Sequence, residues 1–173
     1  MKKIMLAAAS CALIAVAGVA WAAAGPTDPQ IAHIAHTAGV IDIKAGKLAL
    51  KKSHNKEVLA FAQEMVRDHE AVDKQALALV AKLKVTPQDN ATSQSLMKGA
   101  DAEYAKLEKL SGKAFDREYA ANEVAYHKTV NGALETVLIP SAHNAELKSL
   151  LETGLKLFQS HQEHAEHLAH ELH

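Results

Sequence analysis

Between Asn55 and Leu83 the apolar residues Val58, Ala62, Met65, Val72, Ala76, Leu79 and Leu83 recur at alternating steps of four and three. That alternation keeps one narrow stripe on one face of an α-helix. One place on the stripe is not apolar. His69 stands between Met65 and Val72, where the heptad requires a core residue. A helix of this length spans about 40–45 Å, so a side chain near its middle is expected to lie deep in whatever packs against it. The chain must therefore fold into something that gives a buried imidazole a partner.

Other segments carry the same alternation. Ile31, Ile34, Ala38, Ile41, Ala45 and Leu48 form a first helical stripe that begins at Asp28-Pro29, with Asp28 as the expected N-cap. It ends near Lys52-Ser53, so the next helix is expected to be its antiparallel neighbour. Thr86-Pro87 closes the second helix. A third, shorter helix is predicted from about Thr92 to Leu110, with Met97, Ala100, Tyr104 and Leu107 inward, and Ser111-Gly112 breaks or bends the rod there. A fourth runs from about Lys113 to Leu138 and a fifth from about Ala142 to the C-terminus. No segment alternates as a strand would, and no Gly/Ser or Pro-rich linker divides the chain. The fold class is all-α: an antiparallel bundle of four long helices and one shorter one.

Residues 1–24 stand apart from this pattern. Lys2 and Lys3 precede an apolar run from Ile4 to Val19, followed by small residues at Ala20, Ala22, Ala23 and Ala24. This is the pattern of a cleaved secretory signal peptide, with a retained anchor as the alternative. The expected product, residues 25–173, is a single domain bound for the periplasm or the outer membrane. The only cysteine, Cys11, lies inside the leader, so stability must come from packing or from metal. Without Lys2 and Lys3 the 19 basic residues fall to 17 against 20 acidic, with no basic block to suggest nucleic acid. All eleven histidines follow the leader, so mild acid would change the surface charge considerably.

The fourth helix places Asp116, Ala120, Glu123, His127, Val130, Leu134 and Val137 on one stripe. Glu123 and His127 lie four apart, so their side chains meet. Asp42 shares a flank of the inward face of the first helix. The fifth helix has Leu147, Leu151, Gly154, Phe158, then His161, then Ala165, Leu168 and Leu172. Mid-helix positions of an antiparallel bundle share a level, so Asp42, His69, His127 and His161 are predicted to converge, with Glu123 beside them. Two readings follow. One is a buried polar network, which needs satisfying partners because a lone buried polar group costs about 1–3 kcal/mol. The other is a transition-metal site, since imidazoles and carboxylates from facing helices suit Cu, Zn, Fe or Mn. His161, His164, His167, His170 and His173 also recur every third residue, winding round the helix. His164, His167 and His170 are expected to form a looser surface chelate, or else a solvated, pH-responsive tail.

Three phrases, GVIDIKAGKLAL (39–50), VLAFAQEMVRDHEAVDKQ (58–75) and SGKAFDREYAANEVAYHKTV (111–130), resemble the bacterial, ferritin-like "domain of unknown function 4142" proteins. Met65-Val66-Arg67-Asp68-His69, Phe115-Asp116, Tyr119 and His127 follow that family's pattern in order and spacing, and Asp42 stands where it usually has Glu. The resemblance implies a ferritin-like bundle and export, and brings no settled activity. Di-iron oxidase chemistry is disfavoured by the residues themselves. It requires Glu-x-x-His on two helices, and that spacing occurs nowhere here. A nucleophile elbow is also missing. The expectation is a metal-binding protein, Cu or Zn ahead of Fe, used for buffering or stress tolerance, with His69, His127, His161, Asp42 and Glu123 in the core. The alternative is a non-catalytic envelope-stress or interaction protein whose histidines set stability against pH.

Overall fold

A computed structural model describes residues 25–172; the expected signal peptide and His173 lie outside the described residues. The helices are α1 (Asp28–Lys52), α2 (Lys56–Leu83), α3 (Ala91–Lys109), α4 (Gly112–Ala133), a π-helical turn (Leu134–Leu138), α5 (Ile139–Ser141) and α6 (Ala145–Glu171), and no strand occurs among the described residues. α1 packs chiefly on α2, and α4 on α6; α2 also lies against α6, and α3 against α1. Among the described residues, no helix is long and apolar enough to cross a membrane.

Asparagine starts three of the helices. Asn55 accepts from the backbone N–H groups of Glu57 and Val58, Asn90 from those of Thr92 and Ser93, and Asn144 from those of Glu146 and Leu147. Each satisfies two of the N–H groups that a helix start leaves without partners. At α1 the cap is Thr27 rather than the expected Asp28, with Gln30 Oε1 accepting from the Thr27 N–H at 3.0 Å. Asp28 is thereby free for a longer-range task. Its two carboxylate oxygens accept the N–H groups of His143 and Asn144, each at 2.9 Å, and so anchor the start of α6 to the start of α1.

α3 and α4 are separate rods, divided by extended residues at Leu110 and Ser111 and by Gly112 at φ +53°. The expected fourth helix is interrupted once. Pro140 has no N–H, and its ring opposes the carbonyl one turn back, so a regular ladder fails just ahead of it. The chain widens instead to a π-turn, in which the Ile139 N–H bonds to the Leu134 carbonyl. One residue is absorbed, and Leu138 replaces the expected Val137 as the buried side chain.

The core has two apolar halves. One gathers Leu48, Phe61, Met65, Phe115, Tyr119 and Leu168; the other gathers Ile31, Ile34, Leu134, Leu138, Leu147 and Leu151. On α1 the residue between the halves is Asp42, on α2 His69, on α4 Glu123 and His127, and on α6 His161. All five are at most 4% exposed. Antiparallel packing thus stacks them into one polar layer between two oily ones. Beyond His69 the α2 stripe is only half-buried, because a cavity of about 720 Å³ opens there, bordered by His69, Val72, Ala76, Leu134, Leu151 and Phe158.

Candidate metal centre

Each imidazole of the polar layer comes from a different helix. The ring centroids lie 5.8 Å apart for His69 and His127, 5.3 Å for His69 and His161, and 5.6 Å for His127 and His161. His69 is held flat against Phe158, with centroids 4.7 Å apart and planes 4° from parallel. Asp42 Oδ2 sits 3.3 Å from His69 Nε2 and 3.4 Å from His127 Nε2. Glu123 Oε2 is 3.7 Å from His127 Nδ1.

Hydrogen bonds fix two of the three tautomers. His127 Nδ1 lies 3.0 Å from the Glu123 backbone carbonyl, which can only accept, so the proton is on Nδ1 and Nε2 carries the lone pair. His161 Nε2 lies 3.1 Å from Asp68 Oδ2. Arg67 clamps that carboxylate at 2.7 and 3.0 Å and, through that bond first, holds it below the usual carboxylate range. An ionised Asp68 accepts, so His161 donates from Nε2 and leaves Nδ1 with a lone pair in the interior. A carboxylate that orients an imidazole in this way is the usual support of a metal-ligating histidine.

Burial drives the site toward neutrality from both directions. It pushes the Asp42 carboxyl up to about 7 and Glu123 well above the ordinary value, the latter also because Asp42 is near. It pulls His69 down to about 3 and His127 to about 4, and lowers His161. Imidazoles kept neutral, each with one lone pair, are imidazoles ready to ligate.

The polar network expected as the alternative is incomplete. Both Asp42 oxygens, both His69 nitrogens, His127 Nε2, His161 Nδ1, Glu123 Oε2 and the Tyr119 hydroxyl are buried without a hydrogen-bond partner. The close Asp42–His69 and Asp42–His127 approaches therefore lack hydrogen-bond direction. They do match the spacing of ligands around one ion, because bonds of 2.0–2.1 Å in a tetrahedral site separate donor atoms by about 3.3–3.4 Å. Among the described residues three sets offer ligand atoms all within 4.8 Å of one another: His69, His127 and His161; Asp42, Glu123 and His127; and Glu64, Asp68 and His161. The first two interlock through His127, and their residues fit a transition metal.

The structure thus brings together Asp42, His69, Glu123, His127 and His161. It does not bring together His164, His167 and His170 as the expected chelate. His164 Nδ1 pairs with Glu64 at 2.7 Å, His167 Nδ1 faces Glu171 at 3.6 Å, and His170 is exposed. Asp116 serves the fold instead, accepting from the Ser53 hydroxyl at 2.6 Å beneath the α1–α2 turn. Sequence reasoning missed Glu64 and Asp68 as site residues. Their signal was a pair four apart on α2, on the flank of the stripe that meets α6. Tyr119 was also missed; burial, then Glu123 and Asp42, keep its hydroxyl protonated.

The model of a family described as "Domain of unknown function (DUF4142)" matches residues 15–168. No curated protein matches the chain by sequence. Among solved structures, a DUF305 protein from Streptomyces coelicolor, described as secreted, is similar with a TM-score of 0.70 at 13% identity, covering 83% of this chain and 91% of that one. A second, described as CopM in the Cu(II)-bound form, has a TM-score of 0.66 at 13% identity, covering 86% of this chain and 99% of that one. At such identities the likeness is one of fold: a helical bundle.

Proposed function

The chain belongs to the DUF4142 family, and from that premise and the geometry of its core we propose that it is an exported protein that binds one transition-metal ion in the polar layer of the bundle. His69, His127 and His161 are the principal ligands; Asp42 completes the set, and Glu123 steadies His127. The observation that carries this reading is the group of buried donor atoms, lone pairs inward, that face one another without hydrogen-bond partners. A set of three imidazole nitrogens and one carboxylate favours Cu(II) or Zn(II) over Fe(II). The similarity in fold to a protein described in a Cu(II)-bound form supports the same choice. Nothing in the layer supplies a nucleophile beside a base, so buffering or delivery of metal under stress is the role proposed, in the periplasm. The leader at residues 1–24 supports export.

Titration calorimetry of the purified protein with Cu(II), Zn(II) and Fe(II) tests the reading, alongside His69→Ala and a His167→Gln/His170→Gln variant. Uptake by wild type and by the tail variant, with loss of that site in His69→Ala, is the expected result. Uptake that His69→Ala leaves intact and the tail variant abolishes overturns it.

A further inference from the structure

On the α2–α6 face, one turn outside the core set, a second convergence of donors occurs. Glu64 and Asp68 lie four apart on α2, and His161 and His164 three apart on α6, so the two pairs oppose each other across the helix interface. Glu64 Oε2 meets His164 Nδ1 at 2.7 Å, and Asp68 Oδ2 meets His161 Nε2 at 3.1 Å. Side-chain exposure falls from 44% at His164 and 30% at Glu64 to 17% at Asp68 and 1% at His161. The four groups descend from solvent to the polar layer.

His161 belongs to both sets, and the chemistry of its ring decides how they are related. A neutral imidazole has one proton and one lone pair. With the Nε2 proton donated to Asp68, Nδ1 is free for the core ion. If Nε2 instead ligates an ion held with Glu64 and Asp68, it releases its proton to solvent and the ring stays neutral by taking one from solvent at Nδ1, which withdraws Nδ1 from the core. Arg67, which clamps Asp68, is 69% exposed, so no packing holds its guanidinium against displacement by an ion.

We propose that Glu64, Asp68 and His161 form an outer site for a divalent transition metal, with His164 at its mouth against Glu64, filled in alternation with the core site, from which the ion passes inward as His161 changes tautomer. The proposal rests on the core site of the preceding subsection. It adds that loading has a defined route with one ion per chain at any time. Glu64 and Asp68 supply the negative potential that draws a cation to that face.

The test uses Cu(II) alone, on protein carrying His167→Gln and His170→Gln so that the tail contributes nothing. Equilibrium dialysis is expected to give one ion per chain for this background. It should give one, more weakly held, when His69→Ala is added, and none when Glu64→Gln and His164→Gln are added to that. With the core intact, Glu64→Gln/His164→Gln should slow uptake in stopped flow about tenfold while leaving the equilibrium affinity unchanged. Both side chains are partly exposed, and Glu64→Gln alone serves if the double variant folds poorly. Two ions bound at once, no ion retained by His69→Ala, or an unchanged uptake rate each overturns the outer site while leaving the core site standing. Failure of the background protein to bind Cu(II) at all overturns both.

Discussion

Replacing His69 by leucine should raise stability without metal and blunt the response to metal, a combination that no ordinary core substitution gives. Leucine fills much of the same volume. It removes two buried nitrogens without hydrogen-bond partners, each of which costs about 1–3 kcal/mol. It also removes the stack on Phe158, worth about 0.5–1.5 kcal/mol. The approach to Asp42 lacks hydrogen-bond direction, so little is lost there. Without metal, His69→Leu should therefore be at least as stable as wild type, and by up to about 5 kcal/mol more so. With metal the order reverses in response. An ion at a hundredfold excess over its Kd stabilises wild type by about 2.7 kcal/mol, which for a bundle of this size raises Tm by about 5–10 °C. The variant should gain much less, because only the weaker outer site beside Glu64 and Asp68 is left to it. Differential scanning calorimetry in EDTA, then in Zn(II) or Cu(II), reads both halves. A variant that melts several degrees below wild type in EDTA, or that rises with metal as wild type does, refutes the reasoning.

Other consequences follow from the same geometry. In EDTA, stability should peak near pH 6.5–7. Between about pH 5 and 6.5 His69 and His127 are neutral when folded and protonated when unfolded, with His161 shifted in the same direction, while Asp42 and Glu123 hold their protons better when folded than when unfolded. The two imidazoles and two carboxyls offset each other and His161 sets the sign, so the unfolded chain binds up to about one proton more and stability falls on acidification by at most about 1.4 kcal/mol per pH unit. Around pH 7 the imidazole difference is gone and the raised carboxyls of Asp42, at about 7 in the fold, and Glu123 set the slope, so stability falls as pH rises; thermal melts from pH 4.5 to 9 check both signs. Gly46→Ala should lower Tm despite the better helix former, by about 1 kcal/mol net. The new Cβ would meet Val66 Cγ2 at 2.9 Å and the Ala62 carbonyl oxygen at 3.2 Å, and the α2 backbone cannot retreat as a side-chain tip can. Asp28→Ala should cost about 1–2 kcal/mol in denaturant melts, because the His143 and Asn144 N–H groups lose their acceptor.

The helices and their inward faces were legible because the signals are local. Asn55, Asn90 and Pro87 punctuate the chain, and the alternation of three and four singles out Met65, His69 and His161 without reference to any neighbour. The common level of the polar layer was legible for the same reason, since antiparallel packing equates mid-helix positions. What needed the fold was whatever depends on a partner helix. Asp68 sits about 100° round from His69 and reads as a solvated acid beside Arg67; only α6 packed alongside makes it the group that orients His161. The tail histidines looked like a unit in sequence. In space Glu64 draws His164 to α2, while His167 and His170 turn away on the winding surface of α6. The half-buried end of α2 also escaped the pattern, because Val72 and Ala76 face a cavity rather than a packed neighbour.

The central claim is that three imidazoles and a carboxylate, each from a different helix, hold a single ion in the dry middle of the bundle. Anomalous scattering at the Cu or Zn edge from crystals grown with that metal tests it most directly. The account predicts one peak between His69, His127 and His161, within bonding distance of Asp42. Peaks confined to His167 and His170, or none on the chain, would contradict it.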